Sequence, residues 1–360
     1  MNPEPFDLTR IRPQPLAARR SRLGVDEILI DTDAPAPAAD LGDAAVRIRA
    51  ARERGASVML IYGAHLLRNG AARIVTEMME RGWITHVATN GAGTIHDWEF
   101  AWLGRSCEGV EDNVAAGTFG AWDETGRNIH LALLAGGLRG EGYGAALGRF
   151  IHEDGATLPA PEELRARLTH PDQFAPACAE ALTTMRAHGL AAGRHAVEHR
   201  WKHASILAQA FRLGVPATVH PGIGYDIVSC HPMFNGAILG RAAQLDFAKF
   251  CASVDRLDDG VVLSIGSAIM GPQVFEKALS CVHNVRFQDG RPPVAGHTIH
   301  VVDLQDGGGW DWSQGEPPKT SPAYYLRFCK SFSRMGGAMR YVQGDNAAFV
   351  HALLHALRAG

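Results

Sequence analysis

Three times along the chain a run of apolar residues ends in small residues, and a helical pattern follows. The places are Ile61-Tyr62-Gly63-Ala64-His65, Thr89-Asn90-Gly91-Ala92-Gly93 and Ser264-Ile265-Gly266-Ser267-Ala268. Continuous apolar runs such as "SVMLIYG" and "GVVLSIG" predict strands buried on both faces, as in a parallel sheet with crossover helices. In such a sheet ligands bind beyond the carboxyl ends of the strands, where small residues let backbone N–H groups approach a phosphate. None of the three turns is a G-x-G-x-x-G, so the standard dinucleotide fingerprint is absent. Each turn taken singly reads as tight strand–helix packing. Three at equivalent positions point to a nucleotide or dinucleotide site.

The rest of the chain keeps this rhythm. Residues 44–54 and 66–81 read as helices, the second closed by Gly82, and "ITHVAT" as the strand between helices. The stretch from about 120 to 190 reads as mostly helical. Alternation resumes with "ILAQAFRLG", "VPATVH", "FAKFCASVDRL" and "GVVLSIG", then "PQVFEKALSCVHNV", whose Pro272 suits a first helical turn. "TIHVVDL" and "MRYVQG" read as further strands around a long Gly-rich loop, and "AAFVHALLHAL" as the last helix. The pattern predicts an α/β protein with a doubly wound, mostly parallel, Rossmann-like sheet. Residues 1–40 read as an irregular arm and 41–360 as one domain.

Composition narrows the function. A net charge of −3 over 360 residues lacks the footprint of a nucleic-acid binder. The basic cluster "RIRPQPLAARRSR" is broken by prolines and reads as an arm hugging the surface. No apolar run nears a membrane span, and the six cysteines include no C-x-x-C, as expected for reduced thiols in a cytoplasmic protein. No cysteine has an evident neighbouring base, and neither a G-x-S-x-G elbow nor a P-loop is present.

Several segments, in order, resemble the deoxyhypusine synthase family, and more closely its bacterial members of unassigned role. They are "GAHLLRNGAARIVTEMMERGWITHVATNGAG", "FRLGVPATVHPGIGYDIVSCHP" and "VVLSIGSAIMGPQVFEKALSCVHN". The resemblance implies an NAD-dependent doubly wound fold of that family's type, a homotetramer, and oxidation of an amine followed by transfer through an imine. It implies NAD contacts at Gly63, Ala64, His65, Thr89, Asn90, Gly91, Gly93, Gly266 and Ser267. It also implies that His96 and Asp97 look into the substrate pocket, with Asp226 as the acid near the substrate and His220 and His231 beside it.

Departures from the family limit what carries over. Ile95 and His96 stand where the family has an acidic pair, and Met270 to Gln273 replace its histidine motif. Both losses argue against a polyamine and against deoxyhypusine synthesis itself. The matching nucleophile is Lys330, with Lys319 as its rival; Arg327 nearby suits a lowered amine pKa. By residue type alone, His220, Asp226 and His231 suit acid–base work, metal ligation or buried packing. His195, Glu198, His199 and His203 would share a face if helical, which reads as a solvated face rather than a zinc site. The sequence therefore points to an NAD-dependent enzyme that transiently oxidises a small amine, forming or rearranging a C–N bond. The alternatives are a redox-neutral conversion of a polar alcohol such as a sugar, and a nucleotide-binding protein without catalysis.

Overall fold

The computed structural model describes residues 4–170 and 172–360. Six strands form one sheet: β1 (Val58–Tyr62), β2 (His86–Thr89), β3 (Ala217–Val219), β4 (Val261–Ile265), β5 (Thr298–Asp303) and β6 (Ala338–Gln343). All neighbours are parallel, in the order β6-β5-β4-β1-β2-β3. This is the doubly wound Rossmann order, which reverses direction between β1 and β4.

Alternation along each strand divides the core between the two faces. Val58, Leu60 and Tyr62 of β1 pack into one cluster with Val87, Leu263 and Val302. Met59 and Ile61 join Ala88, Val262, Ile299 and Val301 in the other. Both faces are covered, so β1 and β4 are buried at every residue. His86 is a buried imidazole satisfied on both sides, by Ser253 Oγ at 2.8 Å and Thr218 Oγ1 at 2.9 Å.

Three local expectations are corrected. The helix expected over residues 66–81 is broken into Ala64–Arg68 and Ala72–Glu80. The N-terminal arm docks at the break: Gly70 has φ +80°, a Cβ there would lie 1.8 Å from the Ile28 carbonyl oxygen, and Ile30 N–H donates to Gly70 O. The arm is more than a surface strap, since Leu16 is fully buried and Arg19 nearly so. Between β2 and β3 the chain inserts several helices and an antiparallel pair, Gly155–Leu158 with Gly193–Ala196. His195 thus lies on a strand, and His199 is buried against Trp98 and Phe150, so that histidine group shares no helical face. No helix among the described residues is long and apolar enough to cross a membrane.

Candidate functional site

The carboxyl ends of β1 and β4 meet at two glycines. Gly63 N–H donates to Ile265 O, and a Cβ on Gly63 would lie 2.0 Å from the Gly266 carbonyl oxygen. Gly266 itself has φ +61°, and a Cβ there would meet Asn346 Nδ2 at 2.4 Å. Around this contact the amides of Ala64, His65, Ser267, Ala268 and Ile269 have no partner among the described residues. Ser267 Oγ accepts from Gly271 N–H at 3.0 Å and caps the helix Met270–Gln288. Asn346 Oδ1 is buried without a partner. Open amides at a strand-order reversal are what an anionic cofactor group requires.

The turn after β2 is bare for a different reason. Gly93 has no side chain because Thr89 Oγ1, which donates to Tyr62 O, would sit 2.1 Å from its Cβ. Gly91 is bare because the Asp226 carboxylate lies against it, 2.3 Å from where a Cβ would be. Asp226 accepts from the amides of Gly222, Ala92 and Gly91, and burial raises its pKa. Asn90 caps the same helix, Gly91–Leu103, accepting from Gly93 N–H at 3.0 Å. The anion at this helix start is therefore the protein's own. Thr89, Asn90, Gly91 and Gly93 are held in place by neighbouring protein groups, so the bare turn has a packing reason of its own.

Beside this turn a cavity of about 330 Å³ opens, lined by Arg22, Arg68, His96, Cys107, Glu108 and Asp226 among others. Its central feature is a chain of hydrogen bonds. Arg19 clamps Glu99 with two bonds of 2.8 and 2.7 Å, both side chains being buried. Glu99 also accepts from Thr125 at 2.9 Å and from Ser106. A carboxylate only accepts, so the single Ser106 proton goes to Glu99 and Ser106 Oγ must accept from His96 Nδ1–H, 2.7 Å away. Nε2 of His96 is thereby left without a proton. Burial lowers the His96 pKa to about 4, with Arg68 and Arg19 acting the same way and Glu99 opposing, so the ring is neutral near pH 7.

Two cations complete the cavity. Neither Arg22 nor Arg68 has a carboxylate within ion-pair distance among the described residues, and Arg68 Nε is buried without a partner. The Arg68 guanidinium is hydrogen-bonded to the Cys107 thiol, whose sulfur is 3.7 Å from His96 Nδ1. The nitrogen nearest Cys107 is thus the protonated Nδ1, so no free base adjoins the thiol, and burial raises its pKa. Glu108 accepts from Asn113, Trp122 Nε1 and Gly120 N–H.

Of the catalytic candidates read from sequence, His96 and Asp226 come together here and the others do not. Asp97 is wholly buried on the opposite face of its helix, where Ser205 and the Ile206 amide bind it; burial pushes its pKa up to about 7. It anchors the start of the helix Ile206–Leu213. His220 packs on Phe250 and meets Thr218 Oγ1 at 3.2 Å. His231 is buried against Gly126, with Nδ1 accepting from Met233 N–H and Nε2 3.5 Å from Asp123. No three His, Cys, Asp or Glu side chains among the described residues are grouped to hold a metal ion. Lys330 sits on the helix Arg327–Phe332 with its Nζ 3.0 Å above the Tyr324 ring and 3.4 Å from Glu316. It does not line the cavity.

The sequence reading missed Arg19, Arg68, Glu99 and Ser106. Glu99 had a signal, since it lies three residues after His96 and so on the same helical face. Arg19 had none, because its partner is 80 positions away.

No family profile matches the chain, and no curated protein matches it. Similar solved structures include AgrE in ternary complex with ornithine and NAD+, at 12% identity and TM-score 0.42, over 88% of this chain and 32% of that one. Ligand-free ArgZ, an arginine dihydrolase from the cyanobacterial ornithine–ammonia cycle, gives 12% and 0.41 over the same shares. A conserved protein described as LOR/SDH, from Methanococcus maripaludis S2, gives 14% and 0.39, over 92% of this chain and 73% of that one. The chain thus spans about a third of the AgrE and ArgZ chains. The deoxyhypusine synthase assignment is corrected: no family profile supports it, and Lys330, matched to that family's nucleophile, lies outside the cavity. The architecture shown by the coordinates themselves is a doubly wound, Rossmann-like α/β fold.

Proposed function

We propose that the protein is an NAD-dependent enzyme that oxidises a small zwitterionic amine, with His96 as the proton acceptor. The observation that carries this is the chain Arg19–Glu99–Ser106–His96, which leaves a neutral imidazole with a bare Nε2 on a 330 Å³ cavity. Such a locked tautomer is what a general base needs.

Charge argues for the substrate class. With Arg19 and Glu99 paired, Arg22, Arg68, Glu108 and Asp226 are the other charged residues lining the cavity. A guanidinium with an open N–H holds a carboxylate, and a carboxylate edge holds an ammonium group. An alcohol without charge would leave the guanidinium groups of Arg22 and Arg68 unanswered.

The residues at the switch point fit NAD. Gly63 and Gly266 let the backbone come close, and the open amides of Ala64, His65 and Ser267 suit a pyrophosphate. Asn346 Oδ1 is an orphaned acceptor beside them, and Ile269, 72% exposed, offers an apolar surface at the rim. When bound there, the nicotinamide supplies a hydride acceptor. The protein's part is to hold the substrate anion with Arg68 and Arg22 and to take a proton at His96 Nε2.

Calorimetry with NAD on the wild type and on Gly63→Val, followed by a screen of amino acids, plain amines and polyols for nicotinamide reduction, tests this reading. Binding lost in Gly63→Val and turnover of a zwitterion lost in His96→Gln are expected. Failure of the wild type to bind NAD refutes it.

A further inference from the structure

A second cavity, of about 520 Å³, runs along the outer edge of β6 and is lined by the five consecutive residues Ala338 to Val342. β6 is the edge strand on that side of the sheet. Ala338 N–H donates inward to His297 O, and the parallel register continues to Gln343 opposite Asp303. Residues of alternate parity therefore aim outward. The N–H and C=O groups of Met339 and Tyr341 have no partner among the described residues. An open strand edge is a template for another chain unless something covers it.

Here the edge lies at the bottom of a slot. Asp40, Gly42 and His300 form one wall, and Trp310, Asp311 and Trp312 form the other. His300 is fully buried yet neither ring nitrogen has a hydrogen-bond partner, while Asp43 Oδ1, 3.8 Å from Nε2, is held by Arg340 Nε at 3.0 Å. Burial lowers the His300 pKa to about 4, so the ring has both a donor and an acceptor unused. A buried imidazole in this state can answer a polar group brought into the slot.

Three features select the occupant. An extended chain brings one strand to the edge, whereas a second copy would bring a sheet covered on both faces. The side chains of an added strand alternate between the walls, so one set meets tryptophans and the next meets Asp40 and His300. Arg340 is neutralised by Asp43 at 3.0 Å, while Asp40 and Asp311 have no basic partner among the described residues. We infer that the outer edge of β6 is a docking slot for an extended basic peptide segment of a partner protein, with apolar and basic residues alternating, which adds a seventh strand to the sheet.

The test uses the intact chain and fluorescein-labelled acetyl-Lys-Phe-Lys-Val-Lys-Phe-Lys-amide. Controls are the same peptide with Glu for Lys, and one N-methylated on alternate residues so that it cannot pair with β6. Anisotropy is expected to show saturable binding of the basic peptide, about tenfold weaker in Asp40→Asn/Asp311→Asn and absent for the Glu peptide. N-methylation is expected to abolish binding, and the amides of Met339 and Tyr341 are expected to exchange more slowly when the basic peptide is bound. No binding at about 1 mM peptide overturns the inference. Equal binding of the N-methylated peptide overturns it too, since that is adhesion by charge. Concentration-dependent protection of the two amides without peptide assigns the edge to a second copy and also overturns it.

Discussion

Gly91 and Asp226 are pressed together: a side chain on Gly91 would start 2.3 Å from the Asp226 carboxylate, which caps the helix that Gly91 begins. The contact ties the loop after β3 to the turn after β2 and forms one wall of the cavity that holds His96.

Gly91→Ala is therefore expected to destabilise the fold by about 1–3 kcal/mol, because the carboxylate and its loop must shift. Urea denaturation measures the loss. Asn90→Ala removes only a helix cap, at about 1 kcal/mol, and is expected to leave NAD affinity unchanged by calorimetry. A large affinity loss in Asn90→Ala with stability intact would place the cofactor on this turn instead.

The Arg19–Glu99 pair is buried on both sides. Arg19→Met leaves Glu99 charged without its partner and is expected to cost about 3–5 kcal/mol. The double variant Arg19→Met/Glu99→Leu is expected to recover much of that stability while activity stays lost, since Ser106 no longer has an acceptor to orient it. A denaturation and activity cycle across the four proteins separates the two effects.

Acidification is expected to unfold the protein early. His86 is held at about 3, and His96, His130, His199, His220, His297 and His300 at about 4, in each case chiefly by burial. The unfolded chain binds those protons near pH 6.5 and the folded chain does not, so their contribution is complete above 6.5 and is lost as pH falls towards 4. Asp97 and Asp246, raised to about 7, and Asp226, also raised, act the opposite way, but the lowered histidines outnumber them. Urea midpoints at pH 7.5, 6 and 5 are expected to fall steadily. A flat profile would mean that the histidines are hydrated.

Lys330→Met is expected to leave NAD binding and turnover within about twofold of wild type, because Lys330 is occupied by Tyr324 and Glu316 outside the cavity. Borohydride reduction during turnover, read by mass spectrometry, is expected to show no substrate adduct on Lys330. An adduct there would restore the imine route through this lysine.

The doubly wound sheet was legible in the sequence because its signals are local. Apolar runs of five or so residues, three of them ending in small residues before a helical period, mark buried parallel strands, and each of the six strands lies next to a helix that the pattern also shows. His96 and Asp226, which the resemblance implied at the substrate pocket, line one cavity. What the sequence could not determine is which groups those turns accommodate. Gly91 and Gly63 look alike on paper, yet one faces a carboxylate from the loop after β3 and the other a carbonyl across the strand-order reversal. Asp97, one residue from His96, points the other way and anchors a helix, because neighbouring positions on a helix diverge by about 100°. Arg19 meets Glu99 across 80 positions of chain, in an arm that also packs on Gly70. Strand and helix periods are decided within a few residues of chain, whereas charge pairing and pocket membership depend on segments brought together across the whole of it.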